Sequence, residues 1–493
     1  MTHGTADLQS GAAGRAAGVF RPRPALHFAP ARGWMNDPNG LIQWNGRVHL
    51  FYQHNPAGPV AENIAWGHAS STDLWTWEDH PLALEPDPAG PDRDGCYSGC
   101  AVVADGTPRL LYTGVHGGHE LPCLATAADS DLIRWTRDPG NPVIASPPPG
   151  ETVRAFRDHS AWRDGPAWYQ VVGGGLEGRG GALFLYRSAD LRTWQYAGVF
   201  AAAADHGLDG EIWECPDVFV LGDTTVVVVS VWDGQPPYAM WMTGQVTGHR
   251  FVPKASGRCD AGHRYYAPQS LTLADRRRVA FGWLRECLGE LAGPDKTRVG
   301  VMSLPRELFL DSGGALRSRP VHELDRARRE TLLTRLVHGR ATVDVTVSAR
   351  AAHATEISLT PVGRDVTSIG LRLAGPRGTD VQIQVTAGGI EITESGRRLT
   401  ETAALRRPDT AADTPVGQVR AWYDAGILEV FSPPAAAAAV ICRRDGRYDQ
   451  VEAEITCRPG VPAARATFTA WTCGRSSAAD QERTPTTGKS NVT

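Results

Sequence analysis

The sequence lacks the cysteine pattern of a disulfide framework or of a structural zinc site. Its nine cysteines are an odd number, they are scattered along the chain, and no two of them form a C-x-x-C pair. Disulfide-rich extracellular domains have even, regularly spaced cysteines, and zinc sites use closely paired ligands. The cysteines therefore predict free thiols in a reducing compartment and no metal site.

Long apolar runs and a surplus of positive charge are missing as well. No stretch approaches the roughly 18 apolar residues that a membrane-spanning helix needs, and the Ala-, Gly- and Arg-rich start has no apolar signal core. The formal net charge of −4 provides no basic surface for nucleic acid. These absences predict a soluble cytoplasmic protein without nucleic-acid or membrane partners, and they leave its oligomeric state open.

A short phrase, Asp-Leu followed three residues later by Trp, occurs three times in the first half of the chain. Its copies begin at Asp73, Asp131 and Asp190, at intervals of 58 and 59 residues, and a turn-like segment ending at Phe251 is a fourth copy. Each unit has enough short β-rich runs for a four-stranded sheet. The repeat predicts a five-bladed β-propeller over residues 25–318, with the phrase as a packing and turn element.

The same period brings acidic residues to equivalent positions of different blades. Counting from Asp37, two periods lead to Asp158 and three lead to Glu214, while the remaining copies, 94–99 and 265–269, are polar and aromatic. If this position is the innermost strand of each blade, the three carboxylates line one end of the central channel. A funnel with carboxylates, an arginine and aromatic rings suits a sugar better than a phosphate or a nucleic acid.

The rest of the chain follows a different pattern. Residues 319–334 are charged with sparse apolar positions and predict a short linker helix, whereas 335–475 alternate like short strands broken by Gly and Pro turns. The two ends, 1–24 and 476–493, are expected to be disordered. The predicted fold class is therefore all-β, a five-bladed β-propeller followed by a C-terminal β-sandwich.

Several motifs of this chain resemble, in the same order, those of glycoside hydrolase family 32, which comprises invertases, fructan hydrolases and sucrose-6-phosphate hydrolases. The resemblance covers roughly residues 25–475, and the family's architecture agrees with the blade count. The motifs that carry it are WMNDPNG (34–40), FYQHNP (51–56), WGH (66–68), YSG (97–99), YTG (112–114), FRD (156–158), ECP (214–216), YAPQ (266–269), LPRE (304–307) and RAWYD (420–424).

The resemblance implies a role for each matching residue. Asp37 corresponds to the catalytic nucleophile, Glu214 to the general acid/base, and Asp158 to the carboxylate that stabilises the transition state. Neither a cofactor nor a metal is implied, and the partner is a small-molecule carbohydrate. The implied substrate-binding residues are Asn36, Gln53, Trp66, Tyr97, Ser98, Arg157 and Tyr266.

The chemistry of fructoside cleavage explains why two carboxyl groups are needed. The reaction passes through an oxocarbenium-like state, so one carboxylate must lie beneath the anomeric carbon while an acid protonates the leaving oxygen. In a retaining enzyme the two groups lie roughly 5 to 5.5 Å apart, and the nucleophile forms a covalent intermediate. We therefore expect a retaining, exo-acting β-fructofuranosidase that releases terminal non-reducing fructosyl residues from sucrose or short fructans.

Three alternatives stay open: a fructosyltransferase, a sucrose-6-phosphate hydrolase and a non-catalytic fructan-binding propeller. The chain departs from the family pattern at Ala61, Pro122, His159 and Arg264, mostly on the leaving-group side. His159 stands where the family usually has proline. It adds a titratable group beside Asp158 and is expected to tune pH dependence or substrate preference.

Overall fold

The structure of the protein, a computed structural model, is almost entirely β. Its described residues form 36 strands and two 3₁₀ helices, Ala204–His206 and His322–Ala327. The predicted all-β class is confirmed, and no helix in the described ranges has the length and apolarity to cross a membrane. The structure describes residues 23–233, 237–262, 264–286, 297–348, 353–363, 366–375, 380–386, 388–400, 416–432, 436–441, 447–448, 450–457 and 465–474. Apart from residues 23 and 24, the ends that we expected to be disordered lie outside these ranges.

The strands between residues 33 and 320 follow one another as five groups of antiparallel neighbours, named A to E. Group A comprises β1 (Gly33–Trp44), β2 (Arg47–Asn55), β3 (Ala65–Ser71) and β4 (Glu78–Leu84). Group B comprises β5 (Gly95–Ala104), β6 (Thr107–His116), β7 (His119–Ala127) and β8 (Trp135–Arg137). Group C comprises β9 (Val153–Asp164), β10 (Ala167–Leu176), β11 (Gly180–Ser188) and β12 (Trp194–Ala202).

Groups D and E complete this part of the chain. Group D comprises β13 (Ile212–Leu221), β14 (Thr224–Trp232), β15 (Tyr238–Thr247) and β16 (Arg250–Arg258). Group E comprises β17 (Tyr265–Thr272), β18 (Arg278–Leu284), β20 (Val301–Met302), β21 (Arg306–Leu310) and β22 (Leu316–Pro320), while β19 (Arg298–Val299) pairs in parallel with β1. Groups C and D are joined into one eight-stranded sheet at a single pair, Gly174 and Trp213.

The repeated Asp-Leu-x-x-Trp phrase forms the turn between the third and fourth strands of groups A, B and C. Its leucines, Leu74, Leu132 and Leu191, are buried and have positive φ angles of 71°, 58° and 67°. In group C, the carboxylate of Asp190 accepts hydrogen bonds from the amides two and three residues further on, as turn-forming aspartates do. In group D, the buried Phe251 follows the corresponding turn. The phrase is therefore a turn and packing element, as predicted.

Two six-stranded sheets form the C-terminal part. In spatial order, one contains β23 (Arg328–His338), β36 (Arg465–Cys473), β26 (Ala354–Val362), β31 (Val419–Asp424), β32 (Ile427–Ser432) and β33 (Ala436–Ile441). The other contains β24 (Arg340–Val343), β35 (Gln450–Cys457), β27 (Val366–Ala374), β28 (Asp380–Thr386), β29 (Gly389–Glu394) and β30 (Arg397–Arg398). A short pair, β25 (Val347–Ser348) and β34 (Arg447–Tyr448), accompanies them. Ile357 and Leu359 of β26 share one core with Ile369 and Leu371 of β27, so the sheets form a sandwich.

The segment 319–334, predicted as a linker helix, differs from that prediction. Only the 3₁₀ helix His322–Ala327 is helical, and its Leu324 and Ala327 are buried. The chain then continues as β23, which pairs with β36 along its length. Pairing with β36 within one sheet overrides the local charge pattern, because β23 completes an edge of that sheet.

A buried set of charges links the sandwich to the preceding part of the chain. The ring of His27 lies between Asp424, at 2.8 Å, and Glu429, at 3.1 Å. Arg306 contacts both Glu429 and Asp260 at 2.6 Å. Burial alone lowers the pKa of His27, but the hydrogen bonds and charges of Asp424 and Glu429 outweigh it and raise that pKa to about 9. His27 is therefore a buried cation at neutral pH.

This raised pKa predicts a specific pH dependence of stability. Because His27 has a pKa near 6.5 when unfolded, its stabilising contribution is complete below about pH 6.5 and is lost as the pH rises through about 9. Denaturant unfolding of the wild type and of His27→Gln should be measured between pH 6 and pH 9.5. We expect the difference in unfolding free energy to shrink across this range, and a constant difference would contradict the assignment.

Candidate active site

The first strand of every group carries a β-bulge at the same point. A bulge inserts an extra residue, bends the strand and redirects the side chains next to it. Because the bulges occur at the same point of each group, residues that are about sixty positions apart in the chain occupy equivalent places. The register breaks between Met35 and Pro38 in β1, Tyr97 and Gly99 in β5, Arg157 and His159 in β9, Glu214 and Asp217 in β13, and Tyr266 and Gln269 in β17.

Three bulge residues adopt left-handed backbone conformations, and each of their amides is bonded to an oxygen of the preceding group. Asp158 has φ 63°, Cys215 φ 47° and Ala267 φ 48°. The amide of Asp158 donates to Thr113 Oγ1, that of Cys215 to the Asp158 carboxylate, and that of Ala267 to Ser230 Oγ, each at 2.9 Å. The bulges are thus held by hydrogen bonds between groups, in addition to the pairing within each group.

Asp37 is buried and lies among hydrogen-bond donors. Ser98 Oγ donates to its Oδ2 at 2.6 Å and Gln53 Nε2 at 3.2 Å, and the sulfur of Cys215 lies 3.4 Å away. Burial raises the pKa of Asp37, the hydrogen bond from Ser98 opposes this, and the charge of Glu214 adds to the rise. The donors favour the ionised carboxylate that a nucleophile requires.

Glu214 is only half-buried and has one donor on each carboxylate oxygen. The hydroxyl of Tyr266 donates to one oxygen and the guanidinium of Arg157 to the other. The same guanidinium binds Glu120 at 2.9 Å. Arg157 therefore bridges two carboxylates, and Glu120 is a member of the site that the sequence analysis missed.

Asp158 is the most enclosed of the three predicted catalytic carboxyl groups. Its Oδ2 accepts the amide of Cys215 and lies 3.4 Å from the Cys215 sulfur, which is equally close to Asp37. Burial raises the pKa of Asp158 to about 7 against the opposing charge of Arg157, while the charges of Glu214 and Asp37 raise it further. The structure thus brings Asp37, Asp158 and Glu214 together around Cys215.

The predicted substrate-binding residues differ in their surroundings, and the half-buried Tyr97 precedes Ser98 in β5. Asn36, Gln53, Ser98, Arg157 and Tyr266 lie beside the three carboxyl groups or next to them in the chain, and Asn36 accepts a hydrogen bond from the indole of Trp34. Trp66 differs, because its side chain is fully buried and its indole donates to the backbone oxygen of Tyr97 at 3.1 Å. Trp66 therefore has no exposed surface in this structure and supports the backbone of Tyr97. Two half-buried indoles that we did not predict, Trp34 and Trp283, pack edge to face at 5.9 Å near Tyr266.

The four positions that depart from the family pattern differ in burial. His159 is fully buried, and burial lowers its pKa to about 3, so it stays neutral at working pH. The lowered pKa argues against titration of His159 near neutral pH, and its expected effect on substrate preference stays a prediction. Arg264 is buried and donates to the backbone oxygen of Arg285, Pro122 is buried in β7, and Ala61 is exposed. Within the described ranges, no group of three His, Cys, Asp or Glu side chains is arranged to hold a metal.

The sequence matches a family model and several characterised proteins. Residues 27–320 match the model described as "Glycosyl hydrolases family 32 N-terminal domain". The chain is 38% identical over 332 residues to a sucrose-6-phosphate hydrolase of Escherichia coli, covering 62% of this chain and 66% of that protein. It is 36% identical to a raffinose invertase of the same organism with the same coverage. The matched stretch therefore spans about two thirds of the length of these two relatives.

A plant enzyme and solved structures extend the likeness. The chain is 33% identical to the beta-fructofuranosidase insoluble isoenzyme 1 of Oryza sativa subsp. indica, covering 74% of this chain and 69% of that protein. A GH32 beta-fructofuranosidase of Bombyx mori has a TM-score of 0.75 and 26% identity, covering 92% of this chain and 94% of that one. A fructan 1-exohydrolase IIa of Cichorium intybus has a TM-score of 0.75 at 24% identity, covering 92% and 98%, and supports the fold alone.

The bond between Ser98 and Asp37 predicts a shift in the pH profile. Ser98→Ala removes a donor that favours ionised Asp37, so the pKa of Asp37 should rise and the acidic limb of kcat/KM should move to higher pH. A bond to a charged group contributes about 1.5–3 kcal/mol, so kcat/KM should fall by about ten- to hundredfold. Ser188→Ala, which loses a hydroxyl bonded to a turn aspartate, is the control. An unmoved acidic limb would contradict the assignment.

Proposed function

The chain belongs to glycoside hydrolase family 32, and we propose that it is a retaining β-fructofuranosidase that releases terminal β-D-fructofuranosyl residues from sucrose or short fructans. The observation that carries this proposal is the placement of two carboxyl groups with different surroundings on the bulges of groups A and D. Asp37 is buried among donors, whereas Glu214 is half-buried. One group suits attack on the sugar, and the other suits proton exchange with the leaving oxygen and with water.

The first step is attack of a carboxylate oxygen of Asp37 on the anomeric carbon of fructose. As the glycosidic bond breaks, Glu214 gives its proton to the leaving oxygen, and a fructosyl ester forms on Asp37. In the second step, Glu214 takes a proton from water, which attacks the anomeric carbon and releases fructose. Tyr266 and Arg157 hold the Glu214 carboxyl group throughout.

Asp158 binds the fructose ring in this proposal. One of its oxygens accepts the Cys215 amide, and Oδ1 has no hydrogen bond to the described residues, which leaves it for sugar hydroxyls. A carboxylate there also favours positive charge that develops on the ring in the transition state. Arg157, which precedes Asp158 in the chain, donates to Glu214 and so connects the sugar-binding carboxyl group to the proton-exchanging one.

We further propose that groups A to E are the five blades of a propeller. Supporting this, residues that follow the bulge in all five first strands, including Leu41, Cys100, Ser160, Val218 and Gln269, line one cavity of about 810 Å³. This is expected when five strands surround a common axis. The carboxyl groups then lie at the other end of that axis, in a funnel that admits only the end of a fructan chain.

Sucrose 6-phosphate is a second candidate substrate. A relative from Escherichia coli is named a sucrose-6-phosphate hydrolase. The guanidinium of Arg285 lies 5.6 Å from the ring centre of Tyr266, whose hydroxyl donates to Glu214, and this places a cation near that ring.

The proposed roles predict severe losses when either carboxyl group is replaced. Asp37→Asn and Glu214→Gln should each lower kcat on sucrose by several orders of magnitude, because a covalent or proton-transfer step is lost. Thermal unfolding should remain cooperative in both. Asp190→Asn, in an exposed turn, should keep wild-type activity. Residual activity above about a tenth of wild type in either variant would overturn the roles.

A retaining mechanism also fixes the stereochemistry of the product. Two displacements at the anomeric carbon restore the original configuration, so the fructose formed first should be the β-anomer. Proton NMR in the first minutes of hydrolysis can separate the anomers before they interconvert. Initial formation of the α-anomer would mean inversion.

The funnel predicts how longer substrates are cut. Time courses on sucrose, sucrose 6-phosphate, inulin and levan should be followed by chromatography. We expect free fructose from the earliest points and no ladder of internal fragments, because only the terminal fructose reaches the carboxyl groups. An early ladder would contradict the closed funnel. New, longer oligosaccharides would instead indicate fructosyl transfer.

A further inference from the structure

We propose that Thr113 and Ser230 are positioning residues that hold the active-site bulges in their left-handed conformations. Both side chains are fully buried and cannot touch a substrate. Their hydroxyls accept the amides of Asp158 and Ala267, each at 2.9 Å. The inference rests on the proposed β-fructofuranosidase activity and assigns these two residues to that reaction.

The two hydroxyls matter because they hold bulge residues whose backbone is strained. A residue other than glycine in the left-handed region is strained, and this conformation persists only where its surroundings hold it. At Asp158, whose φ is 63°, the conformation sets where the catalytic carboxyl group points. At Ala267, whose φ is 48°, it sets the direction of the neighbouring Tyr266, which binds Glu214.

Thr113 and Ser230 occupy the same position in their groups. Thr113 on β6 pairs with Tyr97, and Ser230 on β14 pairs with Glu214, the residues that precede the bulges of groups B and D. From there, each hydroxyl reaches the bulge of the following group. The arrangement is therefore a repeated device, because it recurs at equivalent positions of two groups.

Group C holds the bulge of the following group with a different acceptor. Its equivalent position is Gly173, which pairs with Arg157 and has no room for a side chain, since an added Cβ would lie 2.6 Å from the backbone oxygen of Trp213. The amide of Cys215 in group D is instead accepted by the Asp158 carboxylate. Thr113 and Ser230 thus do for groups C and E what a catalytic carboxylate does for group D.

Thr113 has a second role, because it also contacts the segment that holds Asp37. Its hydroxyl donates to the backbone oxygen of Ser98 at 3.0 Å, and Ser98 Oγ donates to Asp37. The ring of the buried, neutral His159 lies 3.1 Å from the same hydroxyl. One hydroxyl therefore connects the backbone of Asp158 to the residue that binds the nucleophile, and it fixes the spacing of Asp37 and Asp158.

The test compares Thr113→Val, which keeps the size but removes the hydroxyl, with Thr113→Ser, which keeps the hydroxyl. On sucrose, we expect kcat/KM to fall about ten- to hundredfold in Thr113→Val, with a displaced acidic limb of the pH profile, and to stay within about threefold in Thr113→Ser. The control is Thr243→Val. Thr243 is a buried threonine on β15 that donates to the backbone oxygen of Gly314, and its loss should affect thermal stability but not kcat/KM.

Amide hydrogen exchange provides a readout that does not depend on activity. A peptide covering β9 should exchange faster in Thr113→Val than in the wild type or Thr113→Ser, because the Asp158 amide loses its acceptor. Ser230→Ala should likewise speed exchange in β17, and it serves as the second variant if Thr113→Val does not fold. Unchanged exchange, or equal losses of activity in Thr113→Val and Thr243→Val, would overturn the inference. A wild type that cleaves no fructoside but shows these exchange differences would refute the proposed function alone.

Discussion

The whole candidate site depends on one backbone constraint, the extra residue inserted at the same point of five strands. Without the bulges, side chains would alternate regularly, and residues such as Glu214 and Cys215 would point to opposite faces. With them, consecutive segments turn their polar side chains toward one another. The left-handed conformations at Asp158, Cys215 and Ala267 are the strained points of this arrangement. Each of their amides donates to an oxygen of the preceding group. The rigidity of the site therefore depends on these contacts between groups.

Burial of charge is the second constraint. Three carboxyl groups and one guanidinium share a small, partly enclosed space, and burial raises the pKa of both Asp37 and Asp158. This rise is opposed by the hydrogen bond from Ser98 at Asp37, and by the charge of Arg157 and the Cys215 amide at Asp158. The same principle operates where the sandwich meets the rest of the chain, since His27 stays charged because carboxylates surround it.

The sequence predicted those features that depend on local or periodic patterns. The Asp-Leu-x-x-Trp phrase revealed the repeat because its turn chemistry is local, and the repeat then aligned Asp37, Asp158 and Glu214. Features that depend on contacts between distant strands were missed. Trp66 was expected at the sugar and is fully buried, with its indole bonded to the Tyr97 backbone, and His159 was expected to add a titratable group, yet burial lowers its pKa.

The remaining errors have the same origin. The charge pattern of residues 319–334 predicted a helix, but only 322–327 are helical and 328–334 begin β23, because β36 offers an edge to pair with. Glu120 and Ser230 gave no signal in the sequence, and Thr113 appeared only within the YTG motif with no role, since the contacts of all three reach another group of strands. The spacing of the repeat aligns equivalent positions of different groups. It does not show which neighbouring strand supplies the oxygen that accepts a bulge amide.

The central claim, that Asp37 attacks the sugar while Glu214 exchanges protons, is tested most directly by trapping the intermediate. An aryl β-fructofuranoside needs little acid assistance to leave, so in Glu214→Ala the first step should proceed while hydrolysis of the intermediate stalls. Rapid acid quenching, digestion and mass spectrometry should then find a fructosyl ester on Asp37. Release of the aryl group with no labelled peptide, or a label on any other residue, would contradict the account.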